Sequence, residues 1–197
     1  MIIDVFDFDG TIYDGDSTRD FLLYCLRCHP SLILMLPRLI ASSILLALGR
    51  RDLAEFKGDI FSYIARRYSL SEEAERFWKE EKTQRKIGEW FRNREKTRPV
   101  VIASASPDFE LKWAATLLQA DLLICTECDE SGRVKGRNCK SSEKIERIRE
   151  KLGEFQVNEM YTDNAKADGP LLALARYGFI VTHGKVQPYR KSEESSL

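Results

Sequence analysis

The 197-residue sequence has no excess of either charge: 31 Lys and Arg stand against 31 Asp and Glu. General nucleic-acid binders draw much of their affinity from neutralising phosphates, so the missing basic field argues against that class of partner. An unbroken apolar run of membrane-spanning length is lacking too. The most apolar stretch, Leu32 to Leu48, is interrupted by Pro37-Arg38. A spanning helix needs ~20 mostly apolar residues, and an arginine at its centre costs at least ~2.5 kcal/mol. That stretch reads instead as a helical hairpin, buried or at an interface. No secretion signal is legible at the start, where residues 1–10 carry three aspartates and run directly into a strand. The expected compartment is the cytoplasm, with peripheral contact at the inner face of the membrane left open. The five cysteines are expected there as free thiols. Internal repeats are absent, and nothing implies an obligate protein partner. The length suits one domain, or a core with a sizeable insertion.

What the chain does have begins with Asp4-Val5-Phe6-Asp7-Phe8-Asp9-Gly10-Thr11. On an extended strand Ile3, Val5, Asp7 and Asp9 point to one side and Phe6 and Phe8 to the other. Two carboxylates therefore leave the same face of an apolar strand where Gly10 breaks it. Ionised together they repel, and without a cation one is pushed toward its neutral form. The pair reads as an acidic site for a divalent metal and a phosphate.

Behind that strand, residues 18–96 show no convincing strand. Asp16 or Ser17 caps a helix ending near His29-Pro30, Leu32 to Leu48 forms another, Leu53 to Ile64 shows helical spacing, and Ser71 opens a charged helix. From Val100 the pattern changes to short apolar strands alternating with helices. The strands are Val100 to Ala103, Leu122 to Ile124, Met160 to Thr162 and Phe179 to Val181. Ser106 is expected to cap the helix after the Val100 strand, Ser131-Gly132 to make a hairpin turn, Pro170 to Tyr177 to be helical, and Arg190 to Leu197 to fray. The fold expected is α/β: a doubly wound, Rossmann-like parallel sheet from residues 1–16 and 97–197, with an all-helical cap inserted at 17–96.

Ligands of such sheets bind beyond the carboxyl ends of the strands. Asp7 and Asp9, Ser104 and Asp163 sit at three of those ends. Lys144 lies in the first turn of a helix, where a cation is disfavoured by ~0.3–1 kcal/mol unless a phosphate or carboxylates stand nearby. Asp168 precedes Gly169-Pro170, where it caps a helix, serves the site, or does both.

In this order and spacing, Asp7-Phe8-Asp9-Gly10-Thr11, Ser104, Lys144 and Asp163 with Asp168 resemble the four motifs of haloacid dehalogenase-like hydrolases, over essentially the whole chain. The resemblance implies that Asp7 is a nucleophile forming an aspartyl-phosphate and that Asp9 is its general acid and base. It implies Mg²⁺ held by the Asp7 carboxylate, the Asp9 carbonyl and Asp163, with Asp168 on the metal side or orienting Lys144. Ser104, Lys144 and backbone N–H groups from Phe8 to Gly10, at Thr11 and at Ala105 would hold the phosphoryl oxygens. Two positions depart from the pattern: Thr162 stands where glycine is common, and five positions rather than four separate Asp163 from Asp168.

Within that family, the helical cap and Asp16-Ser17 resemble the subgroup of phosphoserine phosphatase and bacterial phosphatidylglycerophosphatase C. The apolar hairpin and Val181-Thr182-His183-Gly184-Lys185 lean to the second, a phospholipid headgroup phosphatase. Phosphoserine phosphatase places a cap arginine near Lys57-Gly58, where this chain has none. A small-metabolite phosphatase is the alternative, and a non-catalytic metal-binding module the rival of another class. Asp16, Arg19 and Arg38 are the candidate substrate contacts from the cap side. Whether Leu32 to Leu48 is cap core or faces lipid stays open. Cys25-Leu26-Arg27-Cys28-His29 has haem-attachment spacing and Cys125 with Cys128 makes a second C-x-x-C. Haem would need export, and zinc would need two distant thiol pairs to meet.

Overall fold

The computed structural model describes residues 1–50 and 53–190, without the side chains of Leu36, Arg38, Leu39, Leu46, Leu53, Ala54 and Glu55. A six-stranded sheet has the order β3-β2-β1-β4-β5-β6. Its strands are β1 (Ile2–Phe6), β2 (Val100–Pro107), β3 (Leu122–Thr126), β4 (Gln156–Thr162), β5 (Ala175–Thr182) and β6 (Lys185–Pro188). All neighbours pair in parallel except β5 with β6. The chain winds one way from β1 through β2 to β3 and the other way from β4 to β6. The switch point, where such folds place their ligands, lies between β1 and β4.

The alternation of β1 sets two cores. Ile3 and Val5 pack with Val101, Ile148, Met160 and Leu171 on one face of the sheet. Phe6 and Phe8 join Phe21, Phe61, Phe77, Trp78 and Phe91 on the other. Helices α8 (Ser142–Leu152) and α9 (Gly169–Leu174) cover the first face. The second is covered by α7 (Asp108–Leu117) and by helices inserted between β1 and β2: α1 (Ser17–Cys28), α2 (Leu36–Ala47), α3 (Leu53–Ala65), α4 (Leu70–Lys79), α5 (Glu81–Gln84) and α6 (Glu89–Arg92). The inserted cap thus shares its hydrophobic core with the sheet. Gly132, with φ +76°, brings the hairpin after β3 so close to α3 that a Cβ there would lie 2.4 Å from that of Phe61.

Several local expectations shift. The run from Leu32 begins as a 3₁₀ segment over Pro30–Met35, and α2 starts at Leu36. Pro37 explains the break, because a residue without an N–H is accommodated in a first helical turn and nowhere later. The cap of α4 is Ser69, whose hydroxyl accepts the Glu72 N–H at 3.3 Å, rather than Ser71. The final helix stops at Leu174, since Ala175 and Tyr177 pair with Val157 and Glu159 of β4. Sheet pairing there overrides local helical preference. For the fraying expected of Arg190 to Leu197, residues 191–197 lie outside the described residues, as does the side chain of Arg38, the third candidate substrate contact.

Candidate active site

Beyond β1, backbone bonds fold the chain into a tight turn. The Asp7 N–H donates to the Tyr161 carbonyl at 2.9 Å, extending the pairing with β4 by one residue. The N–H groups of Thr11 and Tyr13 donate to the Phe8 carbonyl at 3.2 and 2.9 Å, and that of Gly10 to Gly15 at 2.9 Å. Gly10 has φ +73°, and a Cβ on it would lie 2.3 Å from Asp163 Oδ2. Only glycine permits both the turn and that approach, so Asp163 at the end of β4 lies directly against it. The expected use of the Gly10 and Thr11 N–H groups for phosphate is corrected, because both already have carbonyl partners. Among the described residues, the N–H groups of Phe8 and Asp9 have none. Thr11 Oγ1 is buried without a partner.

Lys144, in the first turn of α8, crosses to the same place. Its Nζ donates to Asp7 Oδ1 at 2.8 Å and to Asp168 Oδ1 at 2.7 Å, all but shielded from solvent. Burial pulls the lysine pKa down, but the two carboxylates outweigh it and hold it above the ordinary value. Burial raises the pKa of Asp7, with Asp168 and Asp9 adding to the rise and Lys144 opposing it. Asp168 Oδ2 accepts from Thr162 Oγ1 at 2.8 Å, and Thr162 Oγ1 accepts the Asn164 N–H at 3.0 Å. The threonine that departs from the family pattern is therefore what fixes Asp168. That aspartate makes no capping bond to α9. Its two oxygens are taken by Lys144 and Thr162, so it orients Lys144, as one of its two expected roles requires.

Asp9 is held differently, by neutral donors. Its Oδ1 accepts the Ser17 N–H at 2.6 Å, at the positive end of α1, and its Oδ2 accepts from Ser106 Oγ at 2.5 Å. Burial raises its pKa against those bonds. Ser106 was expected to cap α7, but β2 runs on to Pro107 and α7 has no side-chain cap. Its hydroxyl is turned to Asp9 instead. The Ser106 N–H donates to Ser104 Oγ at 3.1 Å, which leaves the hydrogen of the buried Ser104 hydroxyl to be donated elsewhere. The Ala105 carbonyl accepts from Thr126 Oγ1 at 2.9 Å.

The cap residues fare otherwise. Asp16 caps α1 by accepting the Arg19 N–H at 2.8 Å, and its charge raises Asp9 further. The Arg19 side chain is exposed, 3.6 Å from Asp20. Without a substrate, these two supply a helix cap and a surface ion pair. A cavity of about 620 Å³ is lined by residues 65–71, α7 and the hairpin after β3, and by none of the strand-end acids.

The family profile described as haloacid dehalogenase-like hydrolase matches residues 5–171, which take in every one of these strand ends. The chain belongs to the haloacid dehalogenase-like hydrolases. Protein CicA of Caulobacter vibrioides is 31% identical over 202 residues, covering 91% of this chain and 86% of that protein. A Bordetella pertussis protein of unknown function has a similar fold, with TM-score 0.68 at 18% identity over 87% of this chain and 86% of the other. So does a phosphoserine phosphohydrolase-like protein from Francisella tularensis, with TM-score 0.52 at 16% identity over 90% and 86%.

In this hydrolase four carboxylates, Asp7, Asp9, Asp163 and Asp168, lie near one buried ammonium that contacts only Asp7 and Asp168 of them, and burial raises the pKa of Asp7, Asp9 and Asp163. A divalent cation relieves such an imbalance. Among the described residues no group of three His, Cys, Asp or Glu side chains is placed to hold an ion, and the five cysteines are free. What remains is a set of hard oxygens: the carboxylates of Asp7 and Asp163 and the main-chain carbonyl of Asp9. Two carboxylates and a carbonyl are the residues that would hold a divalent metal, and their hard oxygens would suit Mg²⁺, an ion that keeps waters and takes phosphate oxygens.

A pH dependence follows. These acids bind protons more tightly folded than unfolded, so metal-free stability falls as pH rises from the ordinary aspartate value near 3.8 through their folded values. Added Mg²⁺ should raise Tm more at pH 7.5 than at pH 5, as scanning calorimetry will read. An equal increment at both would contradict this charge balance.

Proposed function

We propose that this hydrolase is a Mg²⁺-dependent phosphomonoesterase working through an aspartyl-phosphate on Asp7. The observation that carries the reading is the division between the two strand-end acids. Asp7 is paired with the buried Lys144, whereas Asp9 is held by Ser17 N–H and Ser106. Lys144 occupies Asp7 Oδ1 and favours its ionised form, leaving Oδ2 to attack phosphorus. Asp9, its pKa raised, gives its proton to the departing alcohol oxygen as the P–O bond to that alcohol breaks. It then takes a proton from the water that attacks phosphorus, which frees phosphate and restores the Asp7 carboxylate. Ser104 and the N–H groups of Phe8 and Asp9 supply hydrogens to the phosphoryl oxygens. A bound Mg²⁺ offsets the charge of those oxygens and of the nucleophile. Phosphate release from an aryl phosphate, lost in EDTA and restored by Mg²⁺, tests this reading. A protein that binds Mg²⁺ without turnover would be the non-catalytic module instead.

For the substrate, the surface of the cap favours a phospholipid headgroup. Leu32 and Met35 are buried, but Ile33, Leu34, Ile40, Ile44 and Leu48 are exposed, Leu34 by 73%. Ile40, Ile44 and Leu48 recur every four residues and so form one stripe, with exposed Arg50 just beyond it. An apolar stripe beside a cation suits an anionic lipid surface. Phosphatidylglycerophosphate and lysophosphatidate should be hydrolysed faster than phosphoserine or sugar phosphates. Ile40→Asp should reduce co-sedimentation with anionic vesicles and leave aryl phosphate turnover within about twofold. Vesicle binding indifferent to that charge would remove the lipid argument. A second reading, a small anionic phosphoester, has its own support. Arg133 reaches α3 beside Gly58, its Nε donating to Ser62 Oγ at 3.2 Å, near where a phosphoserine phosphatase carries its cap arginine. Preference for phosphoserine in the same panel would favour it.

A further inference from the structure

The cavity of about 620 Å³ lies on the seam between cap and core, and its size is that of a small-molecule site. The turn from α3 to α4 forms one wall, α7 a second and the hairpin after β3 the third. Asp108 and Lys112 of α7 face it, whereas Glu110 between them is buried against Thr18 of α1.

Four cations line this space: Arg66 and Arg67 from the cap, Lys112 from α7 and Lys135 from the hairpin. Three acids stand with them, Asp108, Asp129 and Glu130. Two of the acids are already engaged. Asp108 accepts the Cys128 N–H at 3.0 Å and Lys112 Nζ at 2.8 Å. Asp129 Oδ1 accepts the N–H groups of Ser131 and Arg133 at 2.9 and 3.0 Å and the Ser131 hydroxyl at 2.6 Å, which ties it into its own hairpin. Glu130 is exposed. Arg66, Arg67 and Lys135 make no ion pair among the described residues. The Arg67 guanidinium is held over the Tyr63 ring, 4.5 Å from its centroid.

Unpaired cations brought together across a seam repel, and an anion between them removes that repulsion. Guanidinium groups on one wall and an ammonium on another suit a tetrahedral phosphate, whose oxygens point several ways, better than a planar carboxylate. The N–H groups of Leu70 and Ser71, in the first turn of α4, have no acceptor among the described residues and add donors to the same wall. At the rim, the Tyr68 hydroxyl lies 3.4 Å from Ser31 Oγ, and Ile33 and Leu34 just beyond are exposed. An apolar chain carried by the phosphate would find an apolar surface there.

We propose that this cavity is a second anion site, taking a phosphate ester between Arg66 and Arg67 of the cap and Lys135 of the core. A free glycerol phosphate and a phospholipid headgroup share that chemistry. Nothing in the site requires turnover at Asp7, so it stands apart from the phosphatase reading.

Two measurements separate the sources: calorimetric titration with sn-glycerol 3-phosphate in EDTA, and co-sedimentation with phosphatidylglycerol or phosphatidylcholine vesicles. Wild type should bind the free ester, the phosphatidylglycerol vesicles, or both. Arg66→Glu combined with Lys135→Glu should weaken whichever binding is seen at least tenfold. Weakening of the free ester assigns a soluble ligand, and weakening on vesicles alone assigns the headgroup. Both side chains are exposed and unpaired, so the fold should hold; Arg66→Ser with Lys135→Ser should act in the same direction if the reversed pair does not fold. Arg149→Glu with Lys151→Glu, on α8 across the sheet, changes the net charge equally and should leave binding within about twofold. No binding by wild type in either arm, or binding indifferent to Arg66 and Lys135, overturns the proposal. So does equal weakening by the α8 pair, which would mean a general charge effect. Loss of the titration in Ser104→Ala would place the ester among the strand-end acids and overturn it as well.

Discussion

Asp7→Asn should abolish turnover, lowering kcat on an aryl phosphate by roughly 10³-fold or more, the scale seen when a nucleophile is removed. An amide does not attack phosphorus, and the neighbouring Asp9 is engaged by Ser17 N–H and Ser106 Oγ at 2.6 and 2.5 Å. The fold should not suffer. Burial raises the pKa of Asp7, so its ionised form is a liability in the metal-free protein. Replacing it with a neutral isostere leaves Lys144 paired with Asp168 at 2.7 Å. Metal-free Asp7→Asn should therefore melt at or above the wild-type temperature at pH 7.5, and Mg²⁺ should raise its Tm less than that of wild type. Inactive and stable is the expected combination. An inactive variant that is also unfolded would say nothing for Asp7 as nucleophile, and an active one would remove it from the mechanism.

Lys144→Met should lose both activity and stability. The ammonium is the only cation in contact with Asp7 and Asp168 among the described residues. Breaking a buried pair by removing one partner costs about 3–5 kcal/mol, because a charge is stranded. Here two carboxylates are stranded. Urea unfolding should show the loss at pH 7.5 and a smaller one near pH 5, since protonating Asp7, whose pKa burial raises, removes part of the charge that Lys144 had balanced. Adding Asp168→Asn to Lys144→Met should recover part of the stability and none of the turnover. If Lys144→Met were as stable as wild type at pH 7.5, the buried ion pair would not hold the site together.

Much of this site was legible because a parallel sheet sends its strand ends to one edge. Alternation in β1 placed Ile3 and Val5 in one core and Phe6 and Phe8 in the other, as found. The strand-end rule gathered Asp7, Asp9 and Asp163, and Lys144 was betrayed by sitting at the wrong end of a helix dipole. The misreadings concern partners across space. Ser106 looks like a helix cap, and only the fold turns its hydroxyl to Asp9. Thr162 looked like a departure from pattern until Asp168 was found on its hydroxyl. Glu110 gave no signal: a glutamate in a first helical turn is ordinary, and its burial depends on α1 and α4 closing over it. The start of β5 at Ala175 was hidden for the same reason, since its pairing with Val157 is a property of the sheet.

The central claim is a covalent phosphate on Asp7. An acyl phosphate is reduced by borohydride to the alcohol, so substrate-loaded enzyme quenched into borohydride should carry homoserine at residue 7. Peptide mass spectrometry should find it there, dependent on Mg²⁺ and absent from Asp7→Asn. Turnover with no reduction product, or reduction at Asp9 or Asp163 instead, would contradict the account.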